Sequence, residues 1–261
     1  EILLRDFVHP HSYAVLQDTL DYLQRLGINA IQLMPVQEFE GNEGWGYNPS
    51  YHMALDKDYG SADALRALVE ECHSRGMAVI LDVVYNHAFG QSPLALLYWD
   101  GAQNRPAANN PWLNPIPKHD FNVGNDFNHE SPATKYFVKR VISWWMQTYG
   151  IDGFRFDLAS GFTQRNSLGN FNEWARYDTS RINNIQEYAD LMWSIDPESY
   201  VILENFVDNS ERKELSSRGM MLWGNMSIEY GQASKGFGGS DLGGSWWEHV
   251  GWGEPGLIAY M

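Results

Sequence analysis

Three apolar stretches of the chain close on residues able to do chemistry: Asp82-Val83-Val84-Tyr85-Asn86-His87, Gly153-Phe154-Arg155-Phe156-Asp157 and Val201-Ile202-Leu203-Glu204-Asn205. A single polar strand end is ordinarily a solvated terminus. Three in succession point to a shared site. Arg155 and Asp157 stand two apart on one predicted strand, so their side chains leave the same face and can pair. A guanidinium beside Asp157 is expected to keep it ionised, whereas Glu204 has only Asn205 beside it in sequence and no nearby cation. Two carboxylates in differently charged surroundings, one ionised and one able to hold a proton, suit glycosidic bond cleavage. In that chemistry a separation of roughly 5 Å gives retention of configuration and a wider one inversion, and neighbouring strands favour the shorter distance.

The elements that would position these residues repeat one unit. Apolar runs at Ile2 to Phe7, Ile28 to Met34, Met77 to Val84, Gly153 to Asp157, Tyr200 to Glu204, Met220 to Trp223 and Leu257 to Met261 read as strands. Between them lie helical patterns. Ser12 to Leu26 carries the stripe Tyr13, Leu16, Leu20, Leu23 and Leu26 before Gly27; Ser61 to Arg75 begins on a capping Ser61 and stops at Gly76. Pro132 to Tyr149 and Arg181 to Ser194 complete the set. Strands alternating with helices imply parallel pairing, and seven of them suit a (β/α)8 TIM barrel better than an open sheet. The expected fold is an α/β barrel over residues 1–261, truncated within or just after its seventh strand. The polar, Pro- and Asn-rich stretch 88–128 is expected as a small insertion after the third strand.

Composition narrows the partners. The chain has 261 residues, 44% hydrophobic and 20% charged, as expected of a folded globular domain. A formal net charge of −15 argues against nucleic acid, which clustered cations must bind. No apolar run is long enough for a membrane span. With one cysteine, Cys72, neither an intrachain disulfide nor a Cys-based zinc site can form, and no compartment is fixed: cytoplasmic and secreted or periplasmic settings both stand. The N-terminal Glu1 to Arg5 shows no initiator Met and no signal pattern, so a longer parent chain is expected. The 11 Trp and 14 Tyr exceed what a core this size usually takes, and flat aromatic faces suit the C–H surfaces of sugars. Trp246, Trp247 and Trp252, in a Gly-rich stretch, are the better candidates for such platforms. Trp144 and Trp145, inside a helical pattern, read as packing.

In order and spacing, the three motifs resemble those of the α-amylase superfamily of glycoside hydrolases and transglycosylases. Trp45-Gly46-Tyr47-Asn48-Pro49 and Asp126-Phe127-Asn128 are similar to two further blocks of that family. The resemblance implies a retaining mechanism on α-1,4 or α-1,6 glucans, with Asp157 as nucleophile and Glu204 as general acid and base. It implies that His87 and Arg155 hold the sugar, Tyr47 stacks beneath it, and Asp82 orients Arg155. Asn86 and Asp126 match calcium-ligand positions; no other cofactor is implied. The family's third carboxylate follows a His on the seventh strand, and the chain stops at Ala259-Tyr260-Met261 without it, so this stretch alone is expected to be nearly inactive. Leu158-Ala159-Ser160 replaces the Lys-His pair of many α-amylases, which leaves substrate preference open. The alternatives are a branching or transglycosylating enzyme, and a non-catalytic carbohydrate-binding relative, against which the joint retention of Asp157, Glu204, Arg155 and His87 counts.

Overall fold

The computed structural model describes residues 1–41, 43–225, 234–236 and 257–260. Trp246, Trp247, Trp252 and Met261 lie outside the described residues.

The chain opens with Ile2, which pairs with Leu33 in a single parallel bridge, followed by the helical turn α1 (Leu4–Phe7). A strand from Ile2 to Phe7 is therefore corrected to one bridging residue. Successive strand residues face opposite sides, so continuing the strand would turn Arg5 or Asp6 toward the barrel core. The helical turn instead buries Leu4 and leaves Asp6 and Phe7 exposed. The expected helix Ser12 to Leu26 is likewise two, α2 (Tyr13–Gln17) and α3 (Leu20–Arg25). Thr19 breaks it, its hydroxyl donating to the Leu16 carbonyl at 2.7 Å, a side-chain bond that competes with the helical ladder. The stripe still buries Tyr13, Leu16, Leu20 and Leu23, but Leu26 is exposed.

Strand β1 (Ala30–Leu33) is followed by the hairpin of β2 (Gln37–Phe39) and β3 (Pro49–Leu55), which carries the Trp45-Gly46-Tyr47 turn between its strands. Helix α4 (Ala62–Ser74), capped by the Ser61 hydroxyl, leads to β4 (Ala78–Val83). Three short pieces then fold over the end of β4. They are β5 (His87–Ala88), the turn α5 (Pro93–Leu96), and the pair β6 (Trp99–Asp100) and β7 (Arg105–Pro106). Strand β8 (Asn125–Asp126) returns to pair with β5, setting Asp126 opposite His87. Ala88, Ala95, Leu113 and Phe127 give this region its own small core.

Helix α6 (Pro132–Tyr149) matches its expected span, between the Ser131 cap and Gly150. Its Trp145 is fully buried and donates to the His52 carbonyl at 2.8 Å. Trp144 is exposed rather than packed, because neighbouring residues of a helix face different sides. After β9 (Gly153–Phe156) come the short α7 (Phe171–Ala175) and α8 (Thr179–Ile195), the latter capped by Asp178 and starting two residues before the predicted Arg181. Then follow β10 (Tyr200–Glu204), α9 (Asn209–Ser217), β11 (Met221–Asn225) and β12 (Leu257–Tyr260).

The sheet runs β1-β4-β9-β10-β11-β12, every neighbouring pair parallel, with Ile2 on the outer side of β1. Spatial order equals chain order, as in a (β/α)8 barrel. Strand β9 is buried at all four positions and β4 at five of six, the signature of strands covered on both faces. The largest core cluster packs Tyr13, Leu68, Trp145 and Tyr188 from the helices against Leu81, Phe154 and Leu203 of the strands. Asp82, Asp157 and Glu204 all leave the C-terminal ends of adjacent strands, the end where barrels of this type place their chemistry.

Candidate active site

The register explains why these side chains converge. Asp82 lies beside Arg155 across the β4–β9 pair, and Leu203 beside Phe156 across β9–β10. Glu204 and Asp157 are the next residues along, level with each other on strands that lie about 4.8 Å apart.

Arg155 stands at the centre. Its Nη1 donates to Asp82 Oδ1 at 2.8 Å and Oδ2 at 3.0 Å, and to Asp157 Oδ1 at 2.9 Å. Its Nη2 lies 3.0 Å from Glu204 Oε1. Glu204 thus shares the cation that sequence assigned to Asp157 alone, a correction that follows from strand pairing across β9–β10. One guanidinium also cannot neutralise three carboxylates. Burial pushes Asp82 up to about 6, against the pull of Arg155 and the Tyr47 hydroxyl. Burial first, then Glu204 and Asp82, raise Asp157 well above the usual carboxylate range, again against Arg155. Arg155 pulls Asp157 toward the ionised form, as the sequence suggested, but burial and the two neighbouring carboxylates push it further the other way.

Tyr47 donates its hydroxyl to Asp82 Oδ2 at 2.7 Å. Burial and Asp82 raise it, so it stays protonated and a donor. The turn before it requires glycine: Gly46 has φ +90°, and a Cβ there would lie 2.7 Å from the Pro35 carbonyl oxygen. Trp45, Tyr47, Arg155, Asp157, Glu204 and Trp223 are among the walls of an open cleft of about 740 Å³. That is ample for a small ligand.

His87 is placed differently from its expected role. It is fully buried behind Tyr47, its Nε2 2.8 Å from the Tyr47 carbonyl oxygen, and it is absent from the cleft wall. Burial lowers it to about 4, so the ring is neutral near pH 7. Here it shapes the Tyr47 turn.

Two contacts at the site were not foreseen from sequence. Leu158 adopts φ 44°, a left-handed conformation unusual for a branched apolar residue, and its amide donates to Glu204 Oε2 at 2.9 Å. Nothing in a leucine codes for that. Trp223, in register with Glu204 on β11, holds its ring 5.4 Å from the Arg155 guanidinium carbon and was readable as another strand-end residue.

Asn86 and Asp126 do come together, but around a side chain. His119 Nε2 lies 3.0 Å from Asn86 Oδ1 and 3.7 Å from Asp126 Oδ1. Asp126 Oδ2 is taken by Asn114 Nδ2 at 2.8 Å and the Lys118 amide at 3.0 Å. Calcium asks for six or more oxygens. Among the described residues no cluster of three His, Cys, Asp or Glu is arranged to hold a metal, and an imidazole nitrogen fills the space between the two candidates. These residues, as arranged, do not fit Ca²⁺.

Residues 14–94 match the family model for the α-amylase catalytic domain. The chain is 34% identical over 184 residues to the chloroplastic isoamylase SU1 of Zea mays, covering 61% of this chain and 23% of that protein. It is 34% identical over 141 residues to the malto-oligosyltrehalose trehalohydrolase of Saccharolobus solfataricus, covering 53% and 23%. The chain thus spans about a quarter of the length of these relatives. The solved structure of Amy13B of Eubacterium rectale superposes with a TM-score of 0.67 at 23% identity, over 87% of this chain and 47% of that one, a likeness of fold. With the strand-end carboxylates around Arg155 set in that fold, the chain belongs to the α-amylase superfamily and carries part of its catalytic barrel.

Proposed function

We propose that this chain contributes the nucleophile and the acid–base residue of a retaining glycoside hydrolase acting on α-1,4- or α-1,6-linked glucans. The observation that carries the reading is the level placement of Asp157 and Glu204 on adjacent strands, both ion-paired with Arg155 in a cleft walled by Trp45 and Tyr47. Retaining glycosidases set their carboxyl groups about 5–5.5 Å apart, a distance natural to neighbouring parallel strands. The malto-oligosyl unit in the name of one relative, malto-oligosyltrehalose trehalohydrolase, agrees with an α-glucan substrate.

The chemistry follows from the charges. Proton transfer from Glu204 to the glycosidic oxygen breaks the bond as Asp157 attacks the anomeric carbon, giving a covalent glycosyl-enzyme. The Leu158 amide holds Glu204 Oε2 while Oε1 lies 3.0 Å from Arg155 Nη2, so the carboxyl is fixed from both sides at the cleft wall. Positive charge developing on the sugar in the transition state favours the ionised form of Asp157, opposing the effect of burial and the neighbouring carboxylates. In the second half-reaction Glu204 takes a proton from water, or from an acceptor sugar, which then displaces Asp157.

The test is incubation of the protein carrying this chain with maltooligosaccharides, glycogen and pullulan, with products followed by chromatography. Asp157→Asn is expected to lose turnover by several orders of magnitude. With an activated fluoride donor, Glu204→Gln should accumulate a glycosyl-enzyme detectable by mass spectrometry. Equal turnover by wild type and Asp157→Asn would overturn the assignment. Transfer products at high acceptor concentration would identify a transglycosylating enzyme.

A further inference from the structure

We infer that His119 is a positioning residue that takes the place of a structural cation: its single N–H fixes Asn86, through Asn86 the tautomer of His87, and through His87 the turn that presents Tyr47.

The donors and acceptors leave one assignment. The Tyr47 carbonyl oxygen can only accept, so His87 Nε2, 2.8 Å away, must carry hydrogen. A neutral ring protonated at Nε2 has a bare Nδ1, which must accept from the group 3.0 Å away, Asn86 Nδ2. That sets the amide orientation and turns Asn86 Oδ1 toward His119. The carbonyl oxygen accepts, so His119 Nε2, at 3.0 Å, must be the protonated nitrogen. The chain of bonds then continues from the Tyr47 hydroxyl to Asp82 and from Asp82 to Arg155.

Three segments meet at that N–H. The His119 loop is pinned from both sides of Lys118: its amide donates to Asp126 Oδ2, and its carbonyl accepts from the Ser167 amide at 2.7 Å. Asn86 lies on the segment that leaves the barrel strand β4, just before β5. Gly161, from the loop after Asp157, closes over the junction, where a Cβ would lie 2.7 Å from His119 Nε2. Joining loops at one point through carbonyl and carboxylate oxygens is what a bound cation does. Here a neutral imidazole does it, with Asp126 Oδ1 as the second, longer contact at 3.7 Å.

The inference rests on the proposed reaction only for its kinetic consequence, and the test separates the two. Ring nitrogens of the ¹⁵N-histidine-labelled protein carrying this chain are assigned by long-range ¹H–¹⁵N correlation at pH 7.5. Wild type should show His87 and His119 each as a single neutral Nε2–H tautomer. Either ring protonated at Nδ1 would overturn the relay before any variant is made. His119→Ala should give His87 a mixed or broadened tautomer signal and lower kcat about 10- to 100-fold, the usual range for outer-shell partners, with a smaller change in KM. His119→Gln, which keeps an N–H donor, should restore the His87 signature. Chelator should leave the wild-type melting temperature unchanged. A fall on chelation, or an unaltered His87 spectrum in His119→Ala, refutes the proposal. If wild type shows the predicted tautomers yet cleaves no glucan, the relay stands and the reaction assignment fails.

Discussion

Arg155 and Glu204 meet at 3.0 Å between Nη2 and Oε1, while Nη1 of the same guanidinium holds Asp82 and Asp157. One cation therefore organises three carboxylates from three adjacent strands. Removing it leaves Asp82, which is fully buried, uncompensated. Arg155→Gln is expected to cost about 3–5 kcal/mol of stability at pH 7, the range found when one partner of a buried ion pair is removed. Arg155→Lys should also lose most activity, since a point charge cannot serve three acceptors in the geometry of a planar fork. Chemical denaturation of the variants checks this; a change under 1 kcal/mol for Arg155→Gln would show that the cluster holds together without its cation.

A second outcome concerns pH. Burial pushes Asp126 up to about 7, against Asn114 and Lys118, which hydrogen-bond its other oxygen. Its unfolded value is near 3.8. Between roughly pH 4 and 7 the native state thus binds more protons than the unfolded state, and stability falls as pH rises through that window. Asp82, raised to about 6, adds to the slope in the same direction. In Asp126→Asn the amide oxygen can keep the Asn114 and Lys118 bonds, so the fall should shrink, by an amount on the order of a few kcal/mol. Melting curves at half-unit pH steps measure it. Parallel wild-type and Asp126→Asn profiles would contradict the burial argument.

What sequence conveyed was the part governed by period and by strand ends. Six of the seven apolar runs, in order, form the parallel sheet, the first supplying only the Ile2 bridge, and polar residues closing three of them are Asp82, Asp157 and Glu204. What it could not convey depends on contacts between distant segments. Sequence put Arg155 beside Asp157 because they are two apart; only the β9–β10 pairing brings Glu204 to the same guanidinium. His87 reads as a cleft residue by motif, but the fold places Tyr47 in front of it. His119 sits in a Pro- and Asn-rich loop without periodicity, so no local rule could link it to Asn86. The break in the first helix was local in origin, yet Thr19 within an apolar stripe gives too weak a signal against the 3.6-residue period.

Leu158 offers a test of strain at the site. Its φ of 44° costs a residue bearing a Cβ about 1–2 kcal/mol, and the function of that conformation is to aim the amide at Glu204. Leu158→Gly keeps the amide and removes the steric penalty, at the cost of greater freedom in the unfolded chain. Stability should be unchanged or higher by up to about 1 kcal/mol. Leu158→Pro should abolish activity, because it removes the N–H and cannot adopt the conformation. Activity retained in the proline variant would show that the bond to Glu204 is dispensable.

Gly161 tests how tightly the site is packed from behind. A Cβ at this position would stand 1.8 Å from Asn86 Oδ1 and 2.7 Å from His119 Nε2. Neither can retreat without breaking a hydrogen bond, since Asn86 is held by both His87 and His119. Gly161→Ala is therefore expected to cost about 1–3 kcal/mol or more, as overpacking does, and to reduce kcat by displacing His87 and the Tyr47 turn behind the cleft. Gly150 is the control. It ends α6 at φ +67° with open space around its Cβ position, so Gly150→Ala should cost about 1 kcal/mol from backbone conformation alone and leave kcat intact. Melting temperature and kcat for the pair separate strain at a helix end from strain at the site; equal kcat losses in both would mean the variants act by general destabilisation.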